Sequence, residues 1–294
     1  MSTPSIAHFG TTLIEAPPPP GVFQSDVPIT GDVARTLDFL SVLGLEPAVR
    51  NLYEGVGRQF IWRRGEPRDA DYLEVDTFTS YRAVSRPIAA GPRVGDTIFR
   101  VTHTDPLGVY QTWRARGLAM PVGRFEAEAD FRAGRRADIL VRGPQGQWFE
   151  LAQSGPDRAL NHAVYIWTDP ARVTAVAESY ASTFSLTAAE SDDAAVGSDF
   201  HGIAHVRRLR RASPGITIGL LTPLPGNAIA PRWSKDIFLE AGYSHFRLGT
   251  FDKEATRART ETAFPDGGDV SFVYFEDSYL ELVEIGPDDP ARSP

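Results

Sequence analysis

The chain has 294 residues, a net charge of −8, 42% hydrophobic residues and 23% charged residues. This composition is ordinary for a globular protein and excludes a disordered, collagen-like or coiled-coil chain. The acidic balance argues against nucleic acid or an anionic membrane as a partner. The sequence contains no cysteine, which excludes disulfides, thiolate-bound zinc and iron–sulfur clusters. Any metal must therefore be held by His, Asp or Glu.

The first residues lack the basic head and apolar run of a signal peptide, and no stretch approaches eighteen consecutive apolar residues. These features predict a cytoplasmic protein. Four prolines at 17–20 cannot enter a helix or a central strand. They predict an extended arm over residues 1–21, with a short strand at 8–14. The polar, proline-rich tail at 287–294 is expected to be frayed.

Between these ends the chain repeats one pattern four times. An alternating apolar segment leads to an aspartate suited to a helix N-cap, and an amphipathic stretch follows. The four aspartates are Asp32, Asp105, Asp169 and Asp252. The pattern predicts helices over 33–43, 107–116, 171–184 and 253–263. Gly44 and Gly117 are expected to end the first two helices in a left-handed conformation.

Strand-like runs surround each predicted helix. The opening runs are 23–30, 97–104, 162–168 and 245–250, and the later runs are 58–63, 72–77, 137–142, 147–153, 202–209, 216–221, 269–275 and 279–285. Each unit is thus a strand, a helix and two or three further strands, which predicts an α+β fold with largely antiparallel sheets. A Ser-Gly-Pro stretch at 154–156 divides the four units into two pairs.

Several of these segments resemble the vicinal oxygen chelate superfamily, which includes glyoxalase I, bleomycin-resistance proteins and type I extradiol dioxygenases. They are residues 32–44 (DVARTLDFLSVLG), 143–153 (GPQGQWFELAQ), 160–171 (LNHAVYIWTDPA), 244–252 (SHFRLGTFD) and 277–283 (DSYLELV). The resemblance implies four βαβββ modules paired into two half-open barrel domains. The expected domains are residues 22–155, without a metal, and 156–286, with the metal site.

The resemblance also implies metal ligands on the opening strands of paired modules and on a closing strand. His162 lies seven residues before Asp169, and His245 lies seven residues before Asp252. The same offset in the first half gives Ser25 and Ile98, neither of which is a useful ligand. The third expected ligand is the closing-strand Glu281. Glu284 remains an alternative, because the closing motif contains both and positions 281 and 284 face opposite sides of a strand.

Two imidazoles and one carboxylate form a facial triad with open positions for substrate and oxygen. The expected cofactor is one divalent metal, Fe²⁺ first, although Mn²⁺, Ni²⁺, Co²⁺ or Zn²⁺ would bind the same groups. The alternative is that His162 and His245 are ordinary hydrogen-bonded histidines. Glu74 and Glu150 lack histidine partners, so they are expected to be solvated or paired with arginine and to bind no second metal.

Strand alternation predicts a substrate pocket around these ligands. Tyr243 and Arg247 share a face with His245, Tyr279 shares one with Glu281, and Val164 and Ile166 share one with His162. Arg247 would attract a phenolate, enolate or carboxylate, and a tyrosine can donate a proton or a hydrogen bond. The alternative for Arg247 is an ion pair with a surface acid. Tyr243, Arg247 and His205 are the candidate catalytic residues.

The resemblance implies a metal-dependent oxygenase of the extradiol type that acts on a phenolic, aromatic or polyketide small molecule. Two histidines of that enzyme class are absent, one from the strand at 216–221 and one near 265–269, which favours a natural-product tailoring reaction over simple catechol cleavage. Two alternatives remain: a metal-dependent isomerase, epimerase or lyase that works through an enolate, and a metal-free drug-binding protein. The sequence allows a homo-oligomer and does not fix the oligomeric state.

Overall fold

The computed structural model describes a large part of the chain. The described residues are 6–15, 32–53, 57–64, 71–78, 84–85, 92–119, 128–144, 146–153, 160–184, 186–188, 198–210, 217–227, 229–231, 240–241, 244–250, 254, 257–258, 260–262, 270–276 and 278–284. In strands β1 to β5 and β14 to β16, as bounded below, and in residues 32–34, 160–162, 198, 270–272 and 279–284, only the backbone is described.

Four helices lie in the described part of the chain: α1 (Asp32–Ser41), α2 (Pro106–Ala115), α3 (Glu128–Arg132) and α4 (Val173–Phe184). Three of them confirm predicted helices, whereas α3 was not predicted and most of 253–263 lies outside the described residues. Asp105 is the N-cap of α2, where its side chain accepts a hydrogen bond from the Gly108 N–H at 2.9 Å. Gly44 and Gly117 follow α1 and α2 at φ values of 73° and 65°, which glycine adopts without steric cost.

The strands alternate with these helices along the chain. Before α2 lie β1 (Ile6–Glu15), β2 (Glu46–Tyr53), β3 (Gly57–Arg64), β4 (Asp71–Phe78), β5 (Val84–Ser85) and β6 (Thr97–His103). Between α2 and residue 223 lie β7 (Asp138–Arg142), β8 (Trp148–Gln153), β9 (Leu160–Trp167), β10 (Thr187–Ala188), β11 (Ser198–Phe200), β12 (Ala204–Arg210) and β13 (Thr217–Pro223). The last are β14 (Glu240–Ala241), β15 (Ser244–Thr250), β16 (Glu261–Thr262), β17 (Val270–Phe275) and β18 (Ser278–Glu284).

Most of these strands form two large sheets. The first sheet has the order β16-β17-β18-β15-β1-β4-β3-β2, and the second has the order β10-β12-β13-β9-β6-β8-β7, with β11 paired to β12. The mixed α+β class predicted from the sequence is therefore confirmed. The sequence predicted that residues 22–155 form one domain and residues 156–286 the other. Instead, the first sheet combines strands from the two ends of the chain, and the second sheet combines strands from its two middle quarters.

The N-terminal segment is the reason for this difference. Residues 6–15 form a central strand of the first sheet, antiparallel to β15 and parallel to β4. The expectation of an arm outside the folded body is therefore wrong for these residues, although the short strand predicted at 8–14 lies within β1. The opening strand predicted at 23–30 lies outside the described residues.

The helices bury their apolar sides against one face of the second sheet. Phe39 of α1 stacks on Trp113 of α2, with ring centroids 4.0 Å apart, and the Trp113 indole N–H donates to the Phe39 carbonyl at 2.8 Å. Tyr180 of α4 contacts Phe275 of β17 edge to face at 4.8 Å. The same core therefore joins the helices, the second sheet and one strand of the first sheet.

The opposite face of the second sheet, here called the far face, carries a separate buried cluster. Its described members include no helix residue; they are Ile98, Leu140, Trp148, Tyr165, Trp167, Phe200, Ile203, Ala204, Val206 and Leu221. Strand alternation separates this cluster from the core, because successive residues point to opposite faces. Among the described helices, none has the length and apolar character of a membrane span.

Candidate functional site

Charged side chains meet within the far face of the second sheet. Arg100 of β6 lies directly opposite Glu150 of β8, because the two strands pair in parallel register. The Arg100 guanidinium Nη1 lies 2.7 Å from Oε2 of Glu150 and 3.4 Å from the hydroxyl oxygen of Tyr165 on β9. The Glu150 side chain is 3% exposed, so this is a buried carboxylate with a direct cationic partner.

His201 supplies the second partner of Glu150. It lies in the three-residue turn between β11 and β12, where its φ of 54° is followed by a φ of 70° at Gly202. The His201 Nε2 lies 2.8 Å from Oε1 of Glu150, and the side chain is 4% exposed. An imidazole that donates from Nε2 to the carboxylate fits this contact.

The structure corrects the sequence interpretation of these histidines. The sequence predicted a catalytic role for His205 and none for His201. Strand β12 begins at Ala204, so His201 lies in a turn that folds it onto the carboxylate. His205 alternates with Ala204 and Val206, which belong to the far-face cluster, and therefore lies on the other face of β12.

The environment fixes the ionisation of the cluster. Burial favours the neutral acid at Glu150, but the His201 hydrogen bond and the Arg100 charge together outweigh it, and the pKa of Glu150 falls below its ordinary value. The Tyr165 pKa is raised, first by burial and then by the Glu150 charge. The pKa of Arg100 is also raised, because its acidic neighbours outweigh its burial. The cluster therefore contains a carboxylate, a guanidinium and a neutral phenol at neutral pH.

The lowered pKa of Glu150 predicts a pH-dependent stability. A carboxyl group whose pKa is lower in the folded chain stabilises the fold at pH values above its ordinary pKa of about 4.5. This contribution is lost as the pH falls from there through the folded-state pKa. Urea unfolding between pH 7 and pH 3 should show a steeper loss of free energy for the wild type than for Glu150→Gln. Parallel pH profiles would contradict the assignment of an ionised Glu150.

A glycine on the neighbouring strand leaves the space that the Tyr165 ring occupies in this cluster. Gly219 of β13 lies opposite Tyr165 in register, and a Cβ atom at Gly219 would come 2.3 Å from Cδ1 of the Tyr165 ring. The ring therefore occupies the space that any other side chain at position 219 would need.

Gly219→Ala is accordingly expected to displace the Tyr165 ring and to destabilise the fold by about 1–3 kcal/mol, the usual cost of overpacking a core. Urea denaturation measures this cost. Tyr165→Leu/Gly219→Ala should recover part of it, since the ring that causes the clash is absent. A Gly219→Ala variant as stable as the wild type would contradict the close packing.

Metal binding is one chemistry that this cluster could support. Asp138, Glu150 and His201 offer donor atoms that all lie within 4.8 Å of one another. However, His201 and Arg100 each engage one oxygen of Glu150. Arg136 lies 3.5 Å from the His201 Nδ1. The donors are thus suitable by type, but two guanidinium groups compete for them and oppose a divalent cation.

The predicted metal ligands lie elsewhere. His245 and Glu281 lie on β15 and β18, which are adjacent in the first sheet, with Arg247 directly opposite Glu281. His162 lies on β9 in the second sheet. The sheet order brings the strands of His245 and Glu281 together and does not place the strand of His162 beside them. Glu284 lies opposite Thr250, three positions from Glu281, and so on the other face of β18.

The remaining predicted site residues are the substrate contacts Val164, Ile166 and Tyr279 and the catalytic candidate Tyr243. Val164 and Ile166 are 0% and 1% exposed and belong to the core that contacts the helices. They lie on the opposite face from Tyr165 and Trp167, so the structure corrects their proposed role as substrate contacts. Tyr279 lies on β18, and Tyr243 lies outside the described residues.

The first sheet brings two further positions to the region of His245: His8, which sequence reasoning missed, and Glu74, which it considered and expected to bind no metal. His8 lies on β1 within an Ala-His-Phe triplet similar to the Ser-His-Phe triplet that contains His245. This similarity was the available signal. Glu74 lies on β4 directly opposite Thr12, and Thr12 lies directly opposite His245. The two positions became visible only because β1 and β15 pair across the length of the chain.

Comparison with known proteins supports the fold. No family model matches the chain, and no curated protein matches it. Among solved structures, a point mutant of glyoxalase I from Zea mays is similar with a TM-score of 0.61 at 12% identity, covering 96% of this chain and 94% of that one. A putative dioxygenase from Bacillus subtilis is similar with a TM-score of 0.54 at 16% identity, covering 98% of this chain and 86% of that one.

These matches extend over nearly the whole chain. The protein therefore has the vicinal oxygen chelate fold, and the resemblance read from the sequence is confirmed. The likeness to the maize glyoxalase I and to the Bacillus protein defines the architecture. The activity must be argued from this chain's own residues.

Proposed function

We propose that this protein is a metal-dependent enzyme that acts on a small molecule, with its metal bound on the first sheet at the positions of His8, Glu74, His245 and Glu281. The observation that carries the proposal is the strand order β18-β15-β1-β4, which brings the four positions onto adjacent strands. Adjacent strands lie about 4.8 Å apart, so the four strands span about 14 Å, and His and Glu side chains that extend from one face toward the middle of this span would reach one ion.

The strand register places the four positions on one face. Thr12 pairs with His245 on one side and with Glu74 on the other, so these three positions form a row across the sheet. Arg247 pairs with Gly10 and with Glu281, which forms a second row two residues away. Residues directly opposite each other, and residues two apart on one strand, share a face.

His8 completes the set. It lies two residues before Gly10 on β1, just as His245 lies two residues before Arg247 on β15, and Gly10 and Arg247 are directly opposite each other. The two histidine positions are therefore arranged symmetrically about this pair. Such symmetry is what two similar opening strands produce when they pair antiparallel.

The donor chemistry fits a divalent metal. Two imidazoles and two carboxylates suit Zn²⁺, Mn²⁺, Ni²⁺, Co²⁺ and Fe²⁺. A metal bound by them supplies positive charge that stabilises an anionic oxygen on the substrate. Arg247, two residues from His245 and on the same face, is suited to hold an anionic group of that substrate. Tyr279, two residues from Glu281, keeps its proposed role as a substrate contact.

Two reaction classes use such a site. The oxygenase expected from the sequence depended on a facial triad of His162, His245 and Glu281, and the sheet order separates the strand of His162 from the other two. A second carboxylate at Glu74 leaves fewer open positions on the metal and offers a proton acceptor. We therefore favour an isomerase or lyase that works through an enolate and keep the oxygenase as the second candidate.

Paired histidine variants test the site. Elemental analysis of the dialysed Zn²⁺-loaded or Mn²⁺-loaded protein should give one equivalent for the wild type and for His162→Ala. His8→Ala and His245→Ala should each weaken metal binding by about tenfold or more, since each loses one ligand. Far-ultraviolet circular dichroism checks that each variant is folded. Loss of metal in His162→Ala with retention in His8→Ala would support the facial triad and contradict the four-position site.

The reaction class is tested by oxygen dependence. The metal-loaded protein is assayed against a panel of catechols and α-hydroxycarbonyl compounds with and without oxygen. An isomerase or lyase turns over at the same rate in both conditions. Turnover that stops without oxygen, together with oxygen uptake, would favour the oxygenase.

A further inference from the structure

We propose that Arg172 is a positioning residue for the metal site. Through an ion pair with Glu276 it holds the β17–β18 hairpin in the register that places Glu281 on the metal-binding face of the first sheet. This role rests on the proposed function, in which Glu281 is one of the metal-binding positions. The Arg172 Nη2 lies 2.8 Å from Oε2 of Glu276. Arg172 directly precedes α4, and Glu276 directly follows β17.

The turn between the two strands of this hairpin is strained. Phe275 pairs with Ser278, so two residues link β17 to β18, and Glu276 is the first of them. The favoured two-residue turns have a positive φ at this position, where glycine, asparagine and aspartate are preferred. Glu276 has a φ of 53°, which is sterically costly for a residue with a Cβ atom. Such a conformation persists only where the surrounding structure holds it.

The ion pair with Arg172 supplies this hold. A glutamate at the turn gives up the ease of glycine and gains a carboxylate that reaches α4. The backbone of Arg172 is fixed in turn: its N–H donates to the Asp169 carbonyl at 2.9 Å, and its carbonyl accepts from the Val176 N–H at 2.9 Å. The guanidinium therefore extends toward Glu276 from an anchored helix start.

The register of the hairpin determines the face that Glu281 occupies. Tyr180 and Phe184 of α4 contact Phe275 edge to face, with ring centroids 4.8 Å and 5.1 Å apart. Phe275 thus faces α4, whereas Phe272, three residues away, lies on the opposite side, directly across from Glu281. The turn of a hairpin sets its register, and a slip of β18 by one residue would move Glu281 to the α4 side. Contacts from α4 at the turn therefore keep Glu281 on the metal-binding face.

The test titrates variants of the full chain with Zn²⁺ in competition with a chromophoric chelator. Arg172→Ala and Glu276→Ala remove the ion pair and keep the strained turn. Since the paired side chains are 47% and 22% exposed, each variant should weaken Zn²⁺ binding by about threefold, within the energy of a partly exposed ion pair. Glu276→Gly also removes the ion pair but relieves the strain, so it should bind Zn²⁺ like the wild type.

A double variant and a control complete the titration. Arg172→Ala in the Glu276→Gly background should have no further effect, because the relaxed turn no longer needs the ion pair. Arg116→Ala removes the exposed ion pair between α2 and Asp38 and should leave Zn²⁺ affinity unchanged. A variant that binds Zn²⁺ weakly only through general loss of stability would not be rescued by glycine at position 276.

Hydrogen–deuterium exchange read by mass spectrometry follows the hairpin without any metal. Peptides from residues 270–284 should exchange faster in Arg172→Ala and Glu276→Ala than in the wild type and Glu276→Gly. Peptides from residues 138–153, in β7 and β8, should exchange at the same rate in all four proteins. Faster exchange in both regions would indicate general destabilisation and would overturn the proposal.

The remaining outcomes separate this role from the proposed metal site. If the wild type binds Zn²⁺ and Arg172→Ala binds it equally well, or Glu276→Gly is as weak as Glu276→Ala, the positioning role is wrong. If the wild type binds no Zn²⁺, the proposed metal site is wrong, and the exchange rates decide alone. Faster exchange confined to residues 270–284 in the two alanine variants would then support the hold of Arg172 on the hairpin, and unchanged exchange would overturn it.

Discussion

Arg100→Leu is expected to lower the free energy of unfolding by about 3 kcal/mol, because it leaves the Glu150 carboxylate buried without its cationic partner. The value lies at the low end for a broken buried pair, since Arg100 is 25% exposed whereas Glu150 is 3% exposed. Urea denaturation at neutral pH measures the loss. The same experiment at lower pH should show a smaller difference, because protonation removes the unpaired charge.

A matched control and a double variant define the cause. Arg116→Leu removes an ion pair with Asp38 whose side chains are 43% and 53% exposed, and it should cost less than about 1 kcal/mol. Arg100→Leu/Glu150→Leu should recover part of the loss, since no uncompensated charge remains, although His201 then lacks its acceptor. If Arg100→Leu costs no more than Arg116→Leu, the Arg100–Glu150 ion pair contributes little to stability, and water must reach the Glu150 carboxylate and solvate it.

The local pattern of the sequence was enough to predict most of the regular elements. Asp105 and the proline after it predicted the start of α2, and Gly117 predicted its end, because capping depends on residues within one turn of the helix. Period-two alternation predicted strands such as β7 and β8 within a residue or two of their observed bounds. These signals are local, and they do not report which strands become neighbours.

Long-range pairing explains what the sequence did not predict. Four prolines at 17–20 indicated a free arm, yet β1 precedes them and pairs with β15, more than two hundred residues away. That one pairing changes the partner of each opening strand, and so it brings His8 rather than His162 into the region of His245. The His201 contact with Glu150 was missed for a similar reason: a turn residue gives no periodic signal, and its burial depends on a tertiary contact.

Trp113→Ala is expected to be among the most destabilising single substitutions in the described part of the chain. The Trp113 side chain is fully buried, and it stacks on Phe39 with the ring planes within 8° of parallel. It also holds α2 to α1 through the hydrogen bond from its indole N–H to the Phe39 carbonyl. Truncation to alanine removes the ring, leaves a cavity and orphans a buried carbonyl, at a cost of about 3–5 kcal/mol.

Trp113→Phe separates the two contributions. It keeps an aromatic ring against Phe39 and removes the donor, so it should cost clearly less than the alanine variant, about 1–3 kcal/mol for the lost hydrogen bond and the smaller ring. Urea denaturation followed by circular dichroism gives both values. Since α1 follows a strand of the first sheet and α2 follows a strand of the second, the alanine variant should loosen both sheets in a single transition. Two separate transitions in the wild type would show that the stack does not couple them.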